Sequence, residues 1–99
     1  MVIPQYVKVG PYHIRLEQHE GYWNKDDIRV YGEFDERTST INLDVDASSE
    51  VIKETILHEI LHVILGMYDR DDEGLVRLLS PMVLQVIRDN PKLMMGLAS

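Results

Sequence analysis

The segment from Val51 to Met67 constrains this chain more than any other. Val51, Ile52, Ile56, Leu57, Ile60, Leu61, Val63, Ile64, Leu65 and Met67 are all apolar. At 3.6 residues per turn they ring a helix almost completely, and a helix apolar nearly all round is a buried one. Ser48 and Ser49 are good N-caps, Glu50 suits the first turn, and Gly66 marks the weakening end. Within this oily stretch stand His58, Glu59 and His62. Polar groups in such a helix need partners, because burying them unpaired is costly.

Around that helix the chain divides in two. Residues 1–46 read as strands: Gln5–Val9 and Tyr12–Glu17 flank a Gly10-Pro11 turn, and Ile28–Phe34 and Thr38–Leu43 flank Asp35-Glu36-Arg37. In the third run Ile28, Val30 and Phe34 share a face; in the fourth, Ile41 and Leu43 do. Residues 47–99 read as helices. The second helix starts near Asp71 or Asp72, with Leu75, Val76, Leu79, Met82, Val83, Val86 and Ile87 as its core stripe. Pro81 must kink it or restart it behind Ser80 as a cap, and Asn90-Pro91 ends it. A last turn in Lys92–Ser99 packs Leu93 and Met94. The expected architecture is α+β, one domain, with a small antiparallel sheet of three to four strands packed against two or three helices. Ninety-nine residues suffice for one such domain with a modest core.

Composition narrows the functional classes. The formal net charge is −7 and the ten basic residues are scattered, so the chain lacks the basic patch of a nucleic-acid binder. No apolar run approaches the ~18–20 residues of a membrane span, and the start of the chain does not read as a secretion signal. Cysteine is absent, which excludes disulfides and thiolate metal sites and fits a reducing cytoplasm.

The chemistry sits in His58-Glu59-Ile60-Leu61-His62. Residues four apart share a helix face, so both imidazoles can reach one point. Zinc accepts imidazole nitrogen at ~2.0–2.1 Å, and this spacing suits it. Glu59, turned about 100° from His58, falls on the water side, where it serves as a base rather than a ligand. A catalytic zinc needs a third protein ligand and an open position. Two helices joined by a tight turn run antiparallel, and the histidine pair lies roughly 9–10 Å before the turn. The ligand must then come from the first turns of the second helix. Glu73 is the deepest carboxylate there and ranks first, ahead of Asp69, Asp72 and Asp71; acids before a helix also favour its N-terminal dipole, which is the expected role of Asp71 and Asp72. His13 and His19 read as surface residues, Tyr68 as a helix-end residue or an oxyanion donor, and Tyr22 and Trp23 as caps on the sheet.

Taken together, Thr38–Leu43, Ser48–Met67 with its His-Glu-Ile-Leu-His, and Glu73-Gly-Leu-Val-Arg-Leu-Leu-Ser-Pro resemble the minimal zincins, in particular the ImmA/IrrE-type metallopeptidases and the small zincin-like proteins of phages and prophages. The resemblance covers roughly residues 28–90. It implies His58, His62 and Glu73 as zinc ligands and Glu59 as catalytic base, acting on a peptide or protein substrate. The gap from His62 to Glu73 is short for the larger members, and the longer metzincin pattern is absent, since Leu65 and Tyr68 occupy its glycine and third-ligand positions. The expected function is zinc-dependent peptide hydrolysis, with a non-catalytic zinc-binding interaction module as the alternative. Thr38–Leu43, if at a sheet edge, would align an extended peptide by strand addition.

Overall fold

A computed structural model describes residues 2–99. Strands β1 (Tyr6–Val9), β2 (Tyr12–His19), β3 (Gly32–Asp35) and β4 (Thr40–Asp44) precede helices α1 (Ser49–Met67), α2 (Glu73–Asp89) and α3 (Pro91–Ala98). The class is α+β, as expected. The sheet is mixed rather than antiparallel. Its order is β1-β2-β4-β3, and β2 pairs with β4 in parallel. The reason lies in residues 20–31, which carry the chain across to the far edge. The β3–β4 hairpin then folds back, so that β4 enters beside β2 in the same direction. It follows that the strand expected at Thr38–Leu43 is β4, interior to the sheet, with Thr38 and Ser39 in the turn before it, and that β1 and β3 are the edges.

Each hairpin is set by its turn. Gly10 takes φ +55° ahead of Pro11, the arrangement of a two-residue turn with glycine first. Ser39 takes φ +51° at the β3–β4 turn. Of the run Ile28–Phe34, only its end is strand. Asn24 Oδ1 accepts the backbone N–H groups of Asp26 and Ile28, and Arg29 donates Nε to Asp44 Oδ2 at 2.9 Å. These bonds hold 24–29 as a loop and leave Ile28 exposed. Asp44 is almost fully buried at the end of β4 and also accepts the Gly21 and Asp46 N–H groups. The crossing segment is thereby stapled to the sheet.

The alternation of β2 and β4 puts Ile14, Leu16, Ile41 and Leu43 inward, where Val9 and Val63 complete the core with Ile56, Ile60 and Phe34 against it. Helix α1 lies on this face, and α2 packs on α1 rather than on the sheet. Layering of sheet, α1 and α2 explains the ring of apolar residues on α1. Most of them are partly covered, and Val63 alone on α1 is buried, so α1 is a half-buried helix. Helix α2 continues through Pro81 without a restart. Ser80 does not cap; its buried hydroxyl donates to Val76 O at 2.7 Å, and the proline's missing N–H falls on the outward side. The buried line of α2 is Val76 and Ser80, with Leu79 and Val83 partly covered, while Leu75, Met82, Val86 and Ile87 of the expected stripe are exposed. In α3 Met94 is half-buried and Leu93 exposed.

Candidate metal centre

Helix α1 begins where Ser48 Oγ accepts the Val51 N–H at 3.3 Å, and it ends at Tyr68, after which Asp69 turns left-handed with φ +54°. Arg70 N–H returns to Leu65 O. An acid at this left-handed position closes the helix as a glycine would, so Asp69 serves the turn. Three residues later Asp72 Oδ1 accepts the Leu75 N–H at 3.2 Å and caps α2. Glu73 is therefore the first residue of α2, and the antiparallel return lays it against the histidines.

There the three side chains meet. His58 Nε2 is 3.0 Å from Glu73 Oε1, His62 Nε2 is 2.8 Å from Glu73 Oε2, and the two Nε2 atoms are 3.2 Å apart. Donor atoms of His58, His62 and Glu73 lie within 4.8 Å of one another, a group able to hold a metal ion. Around a tetrahedral ion with bonds of ~2.0–2.1 Å, neighbouring donor atoms sit about 3.3 Å apart. The observed spacings need only small outward shifts to match. The chemistry of the set agrees. Two imidazole nitrogens and a carboxylate oxygen converge on one point, and such a convergence of acceptors needs a cation or a proton among them.

His62 Nδ1 bonds to Asp71 Oδ1. Desolvation pulls the His62 pKa down, but the Asp71 bond and charge outweigh it, aided by Glu59 and Glu73, and the pKa is raised overall. With Nδ1 engaged by Asp71, Nε2 is the nitrogen turned to the cluster, the arrangement in which a metal-binding histidine is held by an outer carboxylate. Asp71, expected to favour the helix dipole and ranked last as a third ligand, instead bonds His62, because its position in the turn depends on how α2 returns.

No known protein family, curated protein or solved structure matches the chain.

Glu59 stands outside the triad. Its Oε2 accepts the Phe34 N–H of the edge strand at 3.2 Å, and burial pushes its carboxyl up to about 7, against the pull of His62 and of that N–H. This backbone donor was invisible in the sequence, since the packing of β3 on α1 creates it. That packing is tight: a Cβ on Gly32 would come within 2.6 Å of the Thr55 methyl and 2.7 Å of Asn42 O.

Two clefts flank the cluster. One, of about 510 Å³, includes Tyr31, Gly32, Glu54, His58, Glu59 and Arg77 in its lining; Arg77 Nε donates to Glu73 Oε1 at 3.2 Å. The other, of about 260 Å³, includes Phe34, Glu36, His62, Met67 and Asp71. Tyr68 caps α1, exposed, and lines neither cleft. His13 is exposed, as expected. His19 is not a surface residue in the same way: it ends β2, half-buried, with its ring Nε2 2.9 Å from Asn42 Oδ1. Tyr22 donates to Glu33, and Trp23 is exposed. Among the described residues, no helix is long and apolar enough to cross a membrane.

Proposed function

We propose that the chain is a zinc-dependent metallopeptidase of the minimal zincin kind, acting on a peptide or protein substrate. The observation that carries this reading is the approach of His58, His62 and Glu73 donor atoms to 2.8–3.2 Å with the Glu59 carboxyl set apart beside them. His58, His62 and Glu73 would hold the ion. Zinc supplies Lewis acidity there, polarising a carbonyl and lowering the pKa of water.

The chain's own residues supply the rest. Glu59 is half-buried, fixed by the Phe34 N–H, and titrates near neutrality. A carboxylate so poised takes a proton from water and returns it to a leaving amine within one turnover. Asp71 holds His62 in the ligating tautomer, and Arg77 holds Glu73 from one turn further along α2. The clefts on both sides of the triad leave room for chain on either side of a scissile bond. Absence of cysteine suits a cytoplasmic setting.

A second reading, a zinc-holding interaction module without turnover, draws support from the apolar residues exposed along α2 and α3, among them Leu78, Met82, Leu93 and Leu97. One experiment separates the two. Zinc content is measured on the wild type and on Glu59→Gln, and both are assayed against a mixed peptide pool. The peptidase reading expects one zinc per chain in both and cleavage by the wild type alone. Zinc without cleavage in either favours the module, and no zinc in either removes both.

A further inference from the structure

Both clefts share the edge strand as one wall. Tyr31 and Gly32 line the larger cleft and Phe34 and Glu36 the smaller, with the triad and Glu59 between them. The two therefore read as one groove along β3. Each half carries an apolar surface and an exposed acid. In the larger half Val30 and Val51 accompany Glu54; in the smaller half Phe34 and Met67 accompany Glu36.

The cations near the larger half are each paired with a carboxylate: Lys53 and Arg88 with Glu50, and Arg77 with Glu73 inside the cleft itself. Glu54 lies one turn before His58 on α1, about 6 Å along the axis. The whole chain carries a net charge of −7, which adds a long-range attraction for cations.

Resting on the peptidase reading, we infer that the groove selects peptides bearing a lysine or arginine close to the scissile bond. A long basic side chain lays its methylene stem on apolar surface and keeps its charged head in water. Here the stem would cross Val30 and Val51, or Phe34 and Met67, and the head would reach Glu54 or Glu36. An apolar side chain of the same length would leave the carboxylate partly desolvated without a partner, and an acidic one would be repelled. The amino terminus of a short peptide offers the same ammonium chemistry as a lysine side chain, so the source of the charge is a separate arm of the test.

The test uses zinc-loaded protein and end-blocked decapeptides that differ at one position: lysine, its neutral near-isostere norleucine, or glutamate. An unblocked norleucine peptide reads whether an α-amine can substitute. Binding is measured on Glu59→Gln, and cleavage on the wild type. The expected result is roughly five-fold tighter binding of lysine over norleucine, weaker still for glutamate, with the difference erased by high salt and by Glu54→Gln with Glu36→Gln. Tighter binding of the unblocked norleucine peptide, also erased by those substitutions, assigns the same groove to a terminal amine. Equal binding of lysine and norleucine, or a preference that survives both substitutions, overturns the inference even if cleavage is seen. A charge preference without any cleavage upholds the groove and removes the peptidase.

Discussion

His62 carries two demands at once: Nε2 points into the cluster and Nδ1 into Asp71. Outer partners of this kind typically govern metal affinity by 10–100-fold. Replacing Asp71 with Asn should weaken zinc binding by about that range with the circular dichroism spectrum unchanged; titration against a zinc chelator measures it, and unchanged affinity would reduce Asp71 to a turn residue. His58→Ala should abolish stoichiometric zinc outright. Asp44 makes a different kind of residue-scale prediction. The Arg29 hydrogen bond, against desolvation, holds its carboxyl below the usual value. A depressed folded pKa means that Asp44 contributes stability above its unfolded pKa, ~3.9, and loses that contribution as pH falls through the lower folded value. Asp44→Asn should thus be less stable than the wild type at pH 7, and the gap should narrow between pH 4 and pH 2 in urea titrations. A gap that stays constant across that range would remove the ion pair as its cause.

At the scale of elements, the contact between β3 and α1 is the sensitive joint. Gly32 has no room for a methyl against Thr55 and Asn42, and overpacking of this sort costs about 1–3 kcal/mol. Gly32→Ala should lower stability by that amount in denaturant melts. It should also pull Phe34 away from Glu59, so that catalytic rate falls more than zinc affinity does. An alanine variant equal to the wild type in both would show that the strand yields freely. The layer order also explains a misreading at this scale. Helix α2 has an apolar pattern broad enough to suggest a stripe through Leu75, Met82, Val86 and Ile87, but along its length only α1 lies against it, with α3 touching its end. One neighbour covers a narrow line, and that line runs through Val76 and Ser80.

For the whole molecule, the ion would tie the last turns of α1 to the first turn of α2, on the side of α1 that the sheet does not cover. Small domains bury a limited share of their surface, and a ligand that binds only the folded state adds RT ln(1 + [L]/Kd) to stability, about 2.7 kcal/mol at a hundred-fold excess over Kd. Zinc should therefore raise the melting temperature of the wild type and leave His58→Ala unmoved. Scanning calorimetry with and without zinc checks this; an equal rise in both proteins would place the bound ion elsewhere.

The sequence by itself settled what local chemistry can settle. Periodicity marked α1 because its apolar residues recur within a few positions, and Gly10-Pro11 marked its hairpin because the turn is encoded in those two residues. The spacing of His58 and His62 placed two imidazoles on one face, since a helix is a local object. A rough count along two helices pointed to Glu73. Whatever depends on distant segments was left to the tertiary structure: the parallel pairing of β2 with β4, the edge position of β3, the Phe34 N–H on Glu59, Asp71 behind His62, and the Arg29–Asp44 staple. Strand order and backbone donors carry no signature in a single stretch of residues. They are decided when the crossing loop closes and the layers choose which faces to cover.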